Sequence, residues 1–324
     1  QPDFTWNKRR STSGTHMLYD AIRGATKALN SDNTNAEVTE ANAVQAFESD
    51  GFQVGSDSNS NSNTVTYVAW NWKANGSGSS NTTGSINTTA TSANVDAGFS
   101  IITYSGNNTA GATIGHGLSK APEMIIVNNR TDADTNWIVL HTHKSGWQGY
   151  LNSTAAGSSG GGGNIPYFFG DNTTYTAPSA TVFTVGNNNQ VNGSGDNIIA
   201  WCWHSIDGYS RVGQYTGNGN NDGTFIYFGF RPAYVMIKNA SASGDNWYVA
   251  DNKRDVDGNP ITEILNPNRN AAEYTTGSNK IDFLSNGIKC RDSASGDTNI
   301  NGEVYIYIAF AQTPVKYANG FTGI

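Results

Sequence analysis

Charge is scarce in this sequence: Asp, Glu, Lys and Arg together make up 14% of its 324 residues, where about 25% is usual for a soluble domain. The balance is −7 at neutral pH, with no cluster of basic residues longer than Lys8-Arg9-Arg10. A phosphate backbone would meet repulsion and find few cations through which to release counterions, so nucleic acid is not an expected partner. Cysteine is scarcer still. Cys202 and Cys290 are too few for a disulfide framework and read as free, buried thiols. No apolar run approaches the roughly 20 residues that cross a bilayer as a helix, so a soluble chain without membrane insertion is expected. Gln1 is not an initiator residue, which suggests either a trimmed precursor or a segment of a larger protein.

The missing charge is replaced by Asn, Ser, Thr and 37 Gly. Thr, Tyr, Trp, Val and Ile favour strands, and Gly and Asn supply turns between them. An all-β protein is therefore expected, and the length suffices for two or three ordinary cores.

Self-similarity is the strongest signal. A proline opens an apolar run at Pro2-Asp3-Phe4-Thr5-Trp6, at Pro122-Glu123-Met124-Ile125-Ile126 and at Pro232-Ala233-Tyr234-Val235-Met236. Each run is followed in turn by His16–Asp20, Trp137–His141 or Trp247–Asp251, then by Arg23, Lys144 or Arg254, then by Leu29, Leu151 or Leu265. Glu37 and Glu273 follow at equal distances in the outer copies. Each copy closes with Phe52, Phe183 or Ile288 and an apolar strand, aligned as Tyr67–Trp70, Ile198–Trp201 and Tyr307–Phe310. Residues 17–29 alone have helical spacing, but their β-branched and aromatic counterparts make them strand.

The expected architecture is repeated antiparallel β-sandwich-like units, the first truncated. Residues 1–74 form the truncated first repeat, 75–97 a linker rich in Ser, Thr, Gly and Asn, 98–207 the second repeat, 208–314 the third, and 315–324 a C-terminal tail. Repeats two and three carry a leading strand, Ile101–Asn107 and Val212–Asn218, with no counterpart in the first. Gly157–Gly163 reads as a mobile loop. The closing strands are apolar on both faces, which suits a packed sandwich or a subunit interface.

As a set, Pro2–Trp6 with Arg10, Leu18-Tyr19-Asp20 with Arg23-Gly24, Tyr104–Asn107, Gly115-His116-Gly117-Leu118, Tyr215–Gly219, Asp282–Gly287 and Tyr305–Ala311 resemble a repeat domain of marine bacteriophage tail-fibre and virion structural proteins. The resemblance covers almost the whole chain. It implies a virion-surface or extracellular location and a homo-oligomer, a trimer or a filament; composition alone implies only an extracellular β protein. Asn7 departs from the pattern, standing where Val127 and Ile237 are apolar.

Candidate chemistry is sparse. His141-Thr142-His143 would set two imidazoles on one face of a strand, a geometry able to chelate a transition metal, although Asp251 and Lys253 fill the aligned positions. Asp132, Asp134 and Asn136 have alternate oxygen spacing but lack the Gly and distal Glu of a calcium loop. Asp20 with Arg23 and Asp251 with Arg254 read as structural ion pairs closing a strand. There is no GxSxG elbow, HExxH helix or phosphate-cradling loop, so a non-enzymatic structural protein without cofactors is expected. The alternative is a carbohydrate-binding adhesin module that meets a host-surface glycan through Trp147, Tyr150, Tyr167, Phe168 and Phe169 in the second-repeat insert. A first repeat without its leading strand would also present an open sheet edge, which a strand from another chain, such as the tail Val315–Ile324, could fill.

Overall fold

The computed structural model describes residues 1–314 apart from Ser145, 161–162, 256–257, 278–279 and 294–295. The first unit contains β1 (Phe4–Arg9), β2 (Met17–Asp20), β3 (Lys27–Ala28), β4 (Val38–Thr39), β5 (Val44–Glu48), β6 (Gly51–Val54), the one-turn helix α1 (Ser58–Asn61) and β7 (Tyr67–Trp72). Next come β8 (Thr88–Asn94), β9 (Phe99–Ser105), β10 (Ala112–Gly115), β11 (Met124–Asn129), β12 (Ile138–His141), β13 (Trp147–Tyr150), α2 (Ile165–Phe168), β14 (Val182–Val185), α3 (Asn189–Asn192) and β15 (Asn197–Trp203). The last stretch holds β16 (Ser210–Thr216), β17 (Phe225–Tyr227), β18 (Pro232–Asn239), β19 (Tyr248–Asp251), β20 (Glu263–Ile264), β21 (Tyr274–Thr275), β22 (Ile281–Leu284), β23 (Gly287–Cys290) and β24 (Val304–Ala311). The protein is all-β, and every strand pair is antiparallel.

One pairing order recurs. The second unit runs β12-β11-β15-β9 within a sheet extended by β13 and β8, the third runs β19-β18-β24-β16, and the first runs β2-β1-β7 and stops. Register shows which closing-strand residues correspond. Phe4, Met124 and Tyr234 pair with Trp72, Trp203 and Phe310. Phe310 thus matches Trp72 and Trp203, whereas the sequence alignment set it against Trp70 and Trp201. A two-residue slip leaves every side chain on its own face of the strand, so alternation does not reveal it.

Each main sheet of the second and third units is buried on both sides. On the outside a small sheet covers it, as β10-β14 does over Ile102, Tyr104, Ala200 and Cys202, and β17-β23-β22 over Tyr215, Tyr305 and Tyr307. On the inside all three sheets meet in one core that includes Phe4, Trp6, Trp70, Trp72, Phe99, Trp137, Trp201, Trp203, Tyr234, Trp247 and Phe310. The rings are offset or edge-on: Trp137 stacks on Trp201 at 5.6 Å, and Trp72 meets Trp203, Tyr234 and Phe310 edge-on at 5.6–6.4 Å. Such pairs add about 0.5–1.5 kcal/mol each beyond the area they bury.

The stretch 75–97 is not a bare linker. Its polar residues 88–94 form β8 at the edge of the six-stranded sheet, with Thr88 and Ser92 buried. Burial is tolerated because the hydroxyls are bonded: Ser92 Oγ accepts from Asn75 N at 2.7 Å, and the Thr88 and Thr91 hydroxyls lie 2.9 Å apart. Strand propensity from Thr was present in the sequence, hidden by the loop-like composition around it. Within the glycine-rich excursion, Gln148 and Ser158 exchange backbone hydrogen bonds at 2.7 Å.

Candidate functional site

Contacts run around the shared core as a closed cycle, first unit to second, second to third and third to first. At the end of β2, Arg23 Nε reaches Asp20 Oδ2 at 2.6 Å and its Nη1 reaches Glu37 Oε2 at 3.0 Å. Arg130 of the second unit grips the same Glu37 at 2.8 Å through both Nε and Nη2, and the Arg23 guanidinium lies 5.9 Å from the ring centroid of Trp201. The third unit addresses the first in the same way. Arg254 joins Asp251 at 2.5 Å and Glu273 at 2.6 Å, Arg10 reaches Glu273 at 2.7 Å, and Arg254 lies over Trp70. Burial disfavours charge on both Asp251 and Arg254, yet their mutual attraction together with the hydrogen bonds from Trp70 to Asp251 and from Arg254 to Glu273 outweighs it, lowering the carboxyl pKa and raising that of the guanidinium.

The seam between the second and third units is built differently. His141 and Lys144 stand where the other seams have Asp and Arg, Ala240 stands where they have Arg10 and Arg130, and Ile308 replaces the tryptophan. Lys144 Nζ donates to Ala240 O, and His141 Nε2 lies 3.3 Å from Tyr307 O. Buried lysines also cross the cycle. Lys8 Nζ donates to Ala271 O at 2.7 Å, and Lys238 Nζ donates to Asp245 O at 3.1 Å and Thr154 O at 3.5 Å. Desolvation pushes both ammonium groups down to about 8.

Where the first sheet stops at β7, a groove of about 520 Å³ opens. All of Val68–Trp72 lines it, facing Tyr209, Tyr234, Asp251–Lys253 and Phe310–Thr313. Trp70 Nε1 donates to Asp251 Oδ2 at 3.0 Å along its wall. Among the described residues, β15 and β24 have strands on both sides, whereas β7 has β1 alone.

The family described as "Domain of unknown function (DUF7483)" matches residues 1–314. The chain belongs to the DUF7483 family. No curated protein and no solved structure matches it.

In this DUF7483 chain the candidate metal pair is not brought together as a chelate. β12 ends at His141, so strand alternation does not carry on to His143. His141 is fully buried at the seam, and burial drives its imidazole down to about 3. His143 is half-exposed and places Nε2 3.1 Å from Glu123 Oε1, with the two ring centroids 5.7 Å apart. Among the described residues no group of three or more His, Cys, Asp or Glu side chains is gathered as metal ligands.

The insert aromatics divide. Trp147, Phe168 and Phe169 are buried, Trp147 bonding Ala156 O through Nε1 at 2.6 Å, so they are structural and cannot meet a glycan. Trp147 lies in a strand, β13, and packs edge-on against Trp247 at 6.1 Å. Tyr150 is half-buried, leaving Tyr167 as the exposed member of the set. Sequence reading missed the outward-facing Phe225 and Tyr227, which share one face of β17 at the edge of its sheet. Their signal was the Phe-Ile-Tyr alternation, with buried Ile226 between them.

Proposed function

We propose that this DUF7483 protein is a non-enzymatic structural building block of a phage tail fibre, virion surface or extracellular filament. The observation that carries this reading is the shared aromatic core, in which three sheets of one chain pack face to face as the subunits of a trimeric shaft would. Ion pairs of Arg130 with Glu37 and of Arg10 with Glu273 join neighbouring units. His141 and most of the aromatics singled out as candidate sites are buried. Resemblance of the landmark residues to phage structural repeats points the same way.

Assembly with further copies then uses the outer surface. Phe225 and Tyr227, exposed on an edge strand, suit contact with a second copy, since an edge offers unpaired backbone groups beside apolar rings. The test is the assembly state of the purified chain, with Phe225→Ser and Tyr227→Ser as the variants expected to weaken it.

A further inference from the structure

We propose that β17 pairs with β17 of a second copy, antiparallel about a two-fold axis at Ile226, so that the small outer sheets of two chains join into one. This pairing gives the outer surface its partner, and it rests on the structural reading of the protein. The tail Val315–Ile324, read from the sequence as a strand to donate, lies outside the described residues, whereas β17, β22 and β23 lie within them.

The backbone of β17 is half used. Thr224 O accepts from Cys290 N at 3.0 Å and Phe228 N donates to Asn286 O at 2.9 Å, so Thr224, Ile226 and Phe228 turn their backbone groups toward β23. Alternation points those of Phe225 and Tyr227 the other way, to the edge of the sheet, where no described residue bonds them.

The second unit shows that this edge is one that takes a strand. Ile114 pairs with Phe183 as Ile226 pairs with Ile288, which sets Thr113 in the place of Phe225 and Gly115 in that of Tyr227. There the edge is covered from within the chain. Ile86 N donates to Thr113 O at 3.0 Å, and Thr113 N donates to Ser85 Oγ at 2.8 Å. In the third unit no described residue provides such cover, and the hydroxyl and the glycine give way to two rings that are 44% and 63% exposed. Edge strands ordinarily carry a guard against pairing, such as a lysine, a proline or an inward charge. Residues 223–230 contain no charge and no proline. The flanking charges are paired inside the chain, Asp222 with Lys289 at 2.7 Å and Asp282 with Arg291 at 2.5 Å.

Two such edges are self-complementary. With Ile226 opposite its own copy, Phe225 lies opposite Tyr227 of the second copy, and each such pair exchanges both of its N–H···O bonds. Their rings become cross-strand neighbours on the outer face, with Cα atoms about 5.5 Å apart, in the aromatic pairing that stabilises sheets. The backbone groups left outward by β23 are then all bonded. A contact that uses the same patch on both partners closes at two chains.

Hydrogen exchange on the unaltered chain tests the pairing, read at one concentration where light scattering shows assembly and at another where the chain is monomeric. The amides of Phe225 and Tyr227 should slow by roughly tenfold or more on assembly. An assembled chain in which they still exchange as a free edge would overturn the pairing but leave the structural reading standing, since assembly would then use another surface. Equal protection in the monomer would also overturn it, because the edge would be covered within one chain. A chain that never assembles would overturn both. Tyr227→Pro is the second check, because it removes an outward N–H and an edge strand tolerates proline there. It should keep the native fold and raise the dissociation constant of the dimer by at least roughly tenfold; a folded variant with an unchanged constant would refute the pairing.

Discussion

Arg254 holds its guanidinium 5.7 Å from the ring centroid of Trp70 while bonding Asp251 and Glu273, tying the last unit to the first across the length of the chain. Arg23 does the same over Trp201 with Asp20 and Glu37. Removing such a cation leaves the buried Asp251 carboxylate without its ion-pair partner, so Arg254→Met should cost about 3–5 kcal/mol. Lys144→Met, at the seam where Lys144 donates to the Ala240 carbonyl, should cost less, about 1.5–3 kcal/mol, the worth of a hydrogen bond from a charged group. Urea unfolding of the two variants checks the order; equal losses would show that the ion pairs do not hold the seams.

Acid should weaken the fold before the carboxylates titrate. Desolvation lowers His141 to about 3, His116 to about 4 and His16 well below its ordinary 6.5. Below about pH 6.5 the unfolded chain therefore takes up protons that the folded chain refuses, and stability falls as pH drops toward the folded values. Each such histidine contributes a slope of about 1.4 kcal/mol per pH unit across that window. The pH dependence of unfolding free energy between 6.5 and 4.5 measures it, and His141→Gln should reduce the slope by one proton.

Trp147 and Tyr167 came from the same insert and are expected to behave oppositely. Trp147→Ala empties a fully buried site and should cost about 3–5 kcal/mol. Tyr167→Ala, on an exposed ring, should change stability by no more than about 0.5 kcal/mol. If glycan binding occurs, Tyr167→Ala should abolish it without moving the melting temperature, which calorimetry and a glycan array together would show.

Cys202 and Cys290 are buried, and desolvation raises both thiols, Cys290 to about 12. Ellman's reagent should find neither in the native protein and both after denaturation. Rapid native labelling would place them at the surface.

Much of the fold was legible because strand alternation and turn residues are local signals. The strand reading of Met17–Asp20 held against a local helical pattern, since its counterparts Ile138–His141 and Tyr248–Asp251 are poor helix sequences. β8 escaped because Thr and Ser that are bonded and buried look, as letters, like a solvated loop. Trp147, Phe168 and Phe169 were misassigned because a ring in a variable segment is as able to plug a core as to face solvent. The seams were legible only in part: Asp and Arg three residues apart announced a pair, but that Arg130 and Arg10 would complete it from another unit is a property of the three-dimensional closure.

The structural-protein account rests most directly on whether the chain assembles. Light scattering across a concentration series, with negative-stain electron microscopy of the same sample, should reveal a defined oligomer or a filament that Phe225→Ser and Tyr227→Ser weaken. A chain that stays monomeric at every concentration would contradict it.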